Sequence, residues 1–254
     1  ETPMVVDTDY RYQQLWTVDV ESGEVRQVTD GEIYITEMAW SPEGERLAVA
    51  ARPTPRLKDF KDSAIYWVDL NEGTARKVDG GPMPKSSPEV LADGRLLYTS
   101  SDGISTLNRE IYVAEATGAQ ATSLTETHDE HAYLLSASGD TVFFRSRDKT
   151  EAHVYAVPAS GGTVRRITTA EGVVTDASVS RDGGRIAFLR ERATEPPDVL
   201  VSAVKPFEAR RLTNMNPQVS DWAFGEQEVI QWKSSDGLEI EGLLVKPVGY
   251  EPGR

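Results

Sequence analysis

The sequence contains no cysteine, has only three histidines and lacks any long apolar run. The missing cysteines exclude disulfide bonds, thiolate metal sites and cysteine nucleophiles. No apolar stretch approaches the roughly 18 residues that a helix needs to cross a bilayer, so we expect a soluble protein with no membrane partner. We expect it in the cytoplasm, and a periplasmic or secreted location stays open.

Basic residues are also scarce, with 27 lysines and arginines against 41 acidic residues and a net charge of −14. The two arginine pairs, Arg165–Arg166 and Arg210–Arg211, recur at equivalent places in a repeat and so form no basic stripe. A protein of this charge is a poor partner for nucleic acid, and the acidity is most simply explained by solubility.

The clearest repeat unit runs from Val173 to Thr213 as four short apolar segments of strand length. Its first two segments are joined by Arg181-Asp182-Gly183-Gly184, and glycine-containing pairs between apolar runs predict a hairpin because glycine tolerates positive φ. Residues 193–198, which include Pro196 and Pro197, are predicted to form an extended loop before the third strand.

The same unit recurs along the chain every 43 to 50 residues. The third strands begin at Leu15, Ile65, Ile111, Val154 and Val199, and the fourth strands end at Thr29, Asp79, Thr125, Thr168 and Thr213. A period of about 40–50 residues with four strands per repeat is typical of a β-propeller. The predicted fold is therefore an all-β propeller of about four to five antiparallel blades over residues 1–225, an incomplete ring.

Few residues suggest a binding site. His128-Asp129-Glu130-His131 could bind a metal, but it lies where the other repeats connect one blade to the next, and a polar connection is favoured. The longer loop 52–63 could be functional, but an ordinary solvated loop is favoured, and residues 101–109 form a second longer loop. Aromatic residues on the third strands are predicted to pack between blades: Trp16, Tyr66, Trp67, Tyr112 and Tyr155.

The repeat breaks near the C-terminus. Residues 219–224 are predicted to begin a further first strand, but a long hairpin of another kind follows, with strands at 228–233 and 238–247 around Ser234-Ser235-Asp236-Gly237. Leu238, Ile240, Leu244 and Val245 would be exposed unless something covered them, so the isolated chain is expected either to self-associate, with a homo-oligomer among the partners, or to leave this tail poorly ordered.

Two blade segments, Trp40–Val49 and Ile65–Leu70, resemble the repeats of TolB-type propellers and of the propellers of prolyl oligopeptidase-family serine peptidases. The tail Val229–Pro247 resembles the entry into the α/β-hydrolase domain of the acylaminoacyl-peptidase branch of that family. The resemblance implies that residues 226–254 are a linker hairpin leading into an α/β-hydrolase domain that is missing from this chain.

A propeller of this family would cover a serine hydrolase and admit short peptides. The partners implied are an α/β-hydrolase domain, in cis or in trans, and short peptide substrates. The chain contains no Gly-x-Ser-x-Gly motif, so no catalytic, cofactor-binding or metal-binding residue is assigned and the chain is expected to be catalytically silent. Alternatives are a TolB-like scaffold that binds proteins and, less well supported, a propeller with its own site in the central channel.

Overall fold

The structure, a computed structural model, describes residues 10–78, 84–101 and 108–252. The chain forms two compact units, one ending at Gly139 and the other beginning at Asp140, which are described separately. Antiparallel strands dominate both, which confirms the expected all-β class. None of the helices found in these residues is long and apolar enough to cross a bilayer.

The first unit contains eleven described strands, arranged as a two-stranded sheet, two four-stranded sheets and a further strand. We call each four-stranded sheet a blade, and its first strand the inner strand. The strands are β1 (Trp16–Val18) and β2 (Val25–Gln27); β3 (Tyr34–Trp40), β4 (Arg46–Arg52), β5 (Ala64–Asp69) and β6 (Ala75–Lys77); β7 (Lys85–Val90), β8 (Leu96–Ser101), β9 (Arg109–Ala114) and β10 (Thr122–Ser123); and β11 (Tyr133–Ser138).

Strand β4 explains how these sheets stack. Its residues are apolar on both faces because each face packs against a neighbouring sheet. Leu47, Val49 and Ala51 join a core cluster with Leu15 and Val28, which flank β1 and β2. Ala48 and Ala50 point the other way, into a cluster with residues of β8. Stacking therefore buries both faces of the blade, as the sequence period predicts.

The second unit continues the repeat. Strands β12 to β14 form one sheet and β15 to β18 form a blade, with a single parallel pair, Ala152 and Val173, connecting the two. The strands are β12 (Thr141–Asp148), β13 (Glu151–Pro158) and β14 (Arg165–Arg166); β15 (Val173–Val179), β16 (Arg185–Arg192), β17 (Glu195–Ala203) and β18 (Arg210–Arg211); and β19 (Gln227–Lys233) and β20 (Glu239–Val245). The hairpin of β19 and β20 confirms the predicted C-terminal hairpin.

Two predictions about local structure were wrong. The expected loop at 193–198 is mostly strand, because β17 already begins at Glu195. The expected strand at 219–224 is absent: a 3₁₀ helix, Pro217–Asp221, with Pro217 in its first turn, covers its first half, and residues 222–224 are irregular. A second 3₁₀ helix, Leu57–Asp62, occupies the longer loop that follows β4.

Candidate functional site

The hairpin of β19 and β20 is the part of the second unit that departs from the blade repeat. Seven residue pairs connect its strands, from Gln227 and Val245 to Lys233 and Glu239. At the base, the Lys246 amide donates to the Glu226 carbonyl at 2.9 Å. A Cβ added to Gly225 would lie 1.7 Å from the Lys246 carbonyl oxygen. The base is thus a close backbone contact that only glycine allows without a shift.

The carboxylate of Glu241 fixes the hairpin to the turn between β12 and β13. Thr150 Oγ1 donates to Glu241 Oε1 at 2.8 Å, and Gln231 Nε2 donates to Oε2 at 3.1 Å. Lys149 Nζ lies 3.8 Å from the same Oε2. The hydrogen bonds from Gln231 and Thr150, with a smaller effect of Lys149, lower the pKa of Glu241. The carboxylate therefore stays charged and holds its partners at neutral pH.

A cleft of about 470 Å³ lies where this turn meets the hairpin. Its apolar lining comes from Trp232, Leu238 and Ile240. The rest is polar or charged and comes from Lys149, Thr150, Gln231, Lys233, Glu239 and Glu241. The Trp232 ring packs on Gly242, where an added Cβ would lie 3.0 Å from it. The cleft offers apolar contact and charges of both signs, the surface that a protein segment would need.

Apolar side chains cover much of the hairpin beyond the cleft. Val229 and its cross-strand partner Leu243 are each 52% exposed, and Val245 on the same face is 60% exposed. The predicted exposure of Leu238, Leu244 and Val245 is confirmed. Ile240 is instead half-buried, because it lies opposite Trp232 and lines the cleft. An apolar surface of this kind is typical of an interface.

One group of side chains in the second unit resembles a catalytic triad. His153 Nδ1 lies 3.3 Å from Thr168 Oγ1, and His153 Nε2 lies 2.9 Å from Glu151 Oε2. Both His153 and Thr168 are completely buried, so no substrate could reach the hydroxyl. The same hydroxyl accepts the amide of Val154 at 3.0 Å, which gives it a role in holding the blade together.

That role recurs in each described repeat that has threonine at this position. In each case the hydroxyl accepts the amide of the residue fourteen positions earlier, at the start of the third strand: Leu15 to Thr29, Ile111 to Thr125, Val154 to Thr168 and Val199 to Thr213, at 2.9–3.0 Å. We call this contact the threonine clamp. Asp79, at the corresponding place in the second repeat, lies outside the described residues.

Other residues singled out by the sequence also take structural places. The segment 128–131 lies in the connection between β10 and β11, as favoured, and His131 Nδ1 accepts the amide of Arg109 at 2.9 Å. Among the described residues, no three histidine, aspartate or glutamate side chains lie close enough together to hold a metal ion. Trp67 and Tyr155 are buried as predicted, but Trp16 is 57% exposed, so the prediction of packing was wrong there.

Sequence reasoning missed Asp198, which was placed in a loop. In β17 its buried carboxylate accepts Thr213 Oγ1 at 2.6 Å and the Met215 amide at 3.0 Å, and it pairs with Arg211. These bonds lower the pKa of Asp198, the one from Thr213 most. Gln14 and His153 contact their clamp threonines from the equivalent position, so repeat alignment could have located it.

No protein-family model matches the chain. Among curated proteins it is similar to dipeptidyl-peptidase 5 of Porphyromonas gingivalis, with 22% identity over 281 residues, which cover 99% of this chain and 41% of that protein. It is also similar to the Tol-Pal system protein TolB of Wolinella succinogenes, with 22% identity over 187 residues, 71% of this chain and 42% of that one. The chain thus spans about two fifths of either relative.

Solved structures share the fold. Dipeptidyl peptidase 4 of Porphyromonas gingivalis superposes with a TM-score of 0.69 and 20% identity, over 99% of this chain and 39% of that one. Acylaminoacyl peptidase of Pyrococcus horikoshii gives a TM-score of 0.57 and 15% identity, over 92% and 47%. The resemblance to the prolyl oligopeptidase family and the propeller fold are therefore confirmed, and the chain matches the propeller portion of such peptidases.

Proposed function

We propose that this chain is the propeller of a serine oligopeptidase or acylaminoacyl-peptidase-like hydrolase, in which it acts as gate and substrate filter. The observation that carries the proposal is the C-terminal hairpin. A propeller that serves as a scaffold ends by completing a blade, whereas here β19 and β20 follow a 3₁₀ helix and pair only with each other among the described strands.

The hairpin has the features of a linker with a partner domain beside it. Its Glu241 carboxylate fixes one end to the turn at Thr150. Its other end presents Val229, Leu243 and Val245 to solvent. A covering α/β-hydrolase domain, in cis or in trans, would bury these side chains and gain the free energy of apolar burial, about 25 cal/mol per Å². The division at residues 225 and 226 is part of the proposal.

We assign catalysis to the hydrolase domain and substrate selection to the propeller, because the triad-like group among the described residues is closed to substrate. The proposed reaction is acyl transfer from a short peptide to a serine, and then to water. The serine, its histidine base and the oxyanion donors would belong to the hydrolase domain, since the buried Thr168 and His153 cannot meet a substrate. The propeller would exclude folded proteins and so set which peptides reach the serine.

A labelling experiment on the protein from its native source tests this proposal. The sample is treated with a serine-reactive fluorophosphonate probe, its intact mass is measured, and hydrolysis of a short chromogenic peptide is followed. We expect a labelled species heavier than 28.0 kDa that yields tryptic peptides of this sequence. If the hydrolase acts in trans, the label will lie on a second, co-purifying chain.

The second candidate is a TolB-like propeller that binds other proteins, which the similarity to TolB over 71% of the chain favours. The same experiment separates the two. A stable species of about this mass that remains unlabelled, with no hydrolase co-purifying and no peptide hydrolysis, would refute the peptidase proposal and support the scaffold.

A further inference from the structure

Two blades carry matching rows of side chains on one face. In the blade β3 to β6, Glu37, Ala50 and Ile65 lie side by side on the first three strands. In the blade β15 to β18, Asp176, Leu189 and Val199 form the same row. A β-bulge precedes the carboxylate in both inner strands. We call the face that carries these rows the forward face of each blade.

The forward face of β3 to β6 is covered by the following blade. The Glu37 carboxylate accepts the amide of Ser87 on the next inner strand, β7. In the neighbouring row, Trp67 Nε1 donates to the Ala116 carbonyl at 2.6 Å. Ala50 and Ile65 have no exposed surface, because they pack in one cluster with residues of β8.

The next blade repeats the contact. Glu89 of β7 lies on the forward face of its blade, and its Oε1 accepts the amide of Ala137 on β11 at 2.7 Å. Burial raises the pKa of Glu89. In the first unit, then, a carboxylate on an inner strand twice accepts a backbone amide from a following strand, β7 for Glu37 and β11 for Glu89. Such a bond satisfies an amide on an edge strand that would otherwise need water.

The forward face of β15 to β18 differs in the exposure of its apolar residues and in the partner of its carboxylate. Leu189 and Val199 are half-buried, whereas their counterparts Ala50 and Ile65 are fully buried. Asp176 is exposed, as Glu37 is, but its Oδ1 accepts the amide of its own chain neighbour Ala177 rather than one from a following strand. A shallow groove of about 180 Å³ lies along this row and is lined by Asp176, Leu189 and Val199 among others.

We propose that this forward face is the docking surface for a further propeller blade, and that Asp176 accepts a backbone amide from its inner strand. The occupant would be formed by sequence of the same polypeptide outside these 254 residues. After β18 the chain enters a 3₁₀ helix and then the C-terminal hairpin, so the described residues that follow supply no blade. The match to dipeptidyl-peptidase 5 leaves more than half of that relative's length outside it.

Matched cysteine variants test the docking surface, because the chain has no cysteine of its own. Ala187 lies beside Ser178 and Val201 on the forward face of β15 to β18, as Ala48 lies beside Ala39 and Trp67 on that of β3 to β6. Ala187→Cys and Ala48→Cys are made in the 254-residue chain and in the full-length gene product, and maleimide labelling rates are compared.

We expect Ala48→Cys to be protected in both proteins, since that residue is fully buried. Ala187→Cys should label readily in the 254-residue chain and at least about tenfold more slowly in the full-length protein, where labelling would need local opening. Equal labelling of Ala187→Cys in the two proteins overturns the proposal. Protection that appears only at high concentration of the 254-residue chain, with a dimer mass, also overturns it, because the occupant would then be a second copy.

Unfolding midpoints of two alanine variants test the role of Asp176 independently of cysteine labelling. Asp176→Ala should lower the unfolding midpoint of the full-length protein and leave that of the 254-residue chain unchanged. Glu37→Ala is the matched control, which should lower the midpoint of both because its amide partner Ser87 is present in both. An Asp176→Ala variant of the full-length protein with an unchanged midpoint would show that this carboxylate has no such partner. This proposal needs only another blade, so it can fail or succeed separately from the peptidase proposal.

Discussion

Four clamp threonines close described repeats, and Thr168 is the most deeply buried of them. Its hydroxyl accepts the Val154 amide at 3.0 Å, and Val154 is also fully buried. Thr168→Val keeps the shape but removes the acceptor, so a buried amide would be left without a partner. We expect the free energy of unfolding to fall by about 1–3 kcal/mol, measured by urea denaturation.

Thr122→Val is the control for this variant. Thr122 is exposed on β10, and its hydroxyl donates to the Gln120 carbonyl at 3.3 Å. Loss of that contact should change stability by less than about 0.5 kcal/mol. If the two variants lost equal stability, the threonine clamp would contribute no more to the free energy of unfolding than an exposed hydrogen bond does.

His153 should make the stability of the second unit depend on pH. Burial, with a smaller contribution from Arg166, lowers the pKa of His153 below 6.5, and the hydrogen bond that His153 donates to the Glu151 carboxylate opposes this only in part. The unfolded chain then binds the proton more readily than the folded one. Stability is therefore complete above about pH 6.5 and falls as the pH drops through that value, by at most about 1.4 kcal/mol per pH unit.

The comparison of the original chain with His153→Gln isolates this effect. Both proteins keep His128 and His131, so any contribution from those side chains cancels. Urea midpoints between pH 7.5 and 5 should converge as the pH falls, since only the original chain loses the His153 contribution. Parallel midpoint curves would mean that His153 does not change its protonation on unfolding in this range.

At the scale of elements, the sequence period predicted the strands well because each blade repeats the same burial pattern. It failed at the start of β17, where Pro196 and Pro197 suggested a loop. Strand β18 pairs with Leu200 and Val201 only, so this part of β17 is an edge that tolerates residues without an amide. The ion pair of Arg190 and Glu195 at 3.0 Å fixes the preceding turn.

The error at 219–224 has a similar cause. The apolar residues there suggested a strand, but Pro217 presets the backbone for a helical turn. Local bonds then close that turn, with the amides of Val219 and Trp222 donating to carbonyls three residues earlier. The hairpin itself was predictable from its alternating pattern and the Asp236-Gly237 turn. The contact of Glu241 with Thr150 was not, because no sequence rule connects residues so far apart.

Gly225 tests how the hairpin is held at its base. In Gly225→Ala the new Cβ would meet the Lys246 carbonyl oxygen, a backbone atom, at 1.7 Å. Because the backbone must then shift, the bond from the Lys246 amide to Glu226 should weaken. We expect faster hydrogen exchange of the Lys246 amide and of the strand residues beside it.

The matched control is Gly31→Ala. An added Cβ at Gly31 has open space around it, so exchange in the hairpin should stay as in the original chain. If Gly225→Ala leaves the exchange of Lys246 unchanged, the close approach at the base does not hold the hairpin.

At the scale of the molecule, net charge and exposed apolar surface have opposite effects on self-association. The net charge of −14 keeps copies of the chain apart, and the exposed apolar side chains of the hairpin draw them together. Salt screens the repulsion, with a Debye length of about 10 Å at 0.1 M, and leaves the apolar attraction. Association of the isolated chain should therefore increase with ionic strength, the reverse of association driven by opposite charges.

Sedimentation velocity at low and high salt tests whether the hairpin is the associating surface. In the double variant Val229→Thr and Leu243→Thr, two cross-strand partners lose their apolar character while the β-propensity of both strands is kept. We expect this variant to remain monomeric at concentrations where the original chain associates. Val20→Thr, at a residue 96% exposed in the turn between β1 and β2, is the control and should associate like the original chain. A chain that is monomeric in all conditions, or an equal effect of both variants, would contradict the prediction, because the exposed face of β19 and β20 would then not be an adhesive surface.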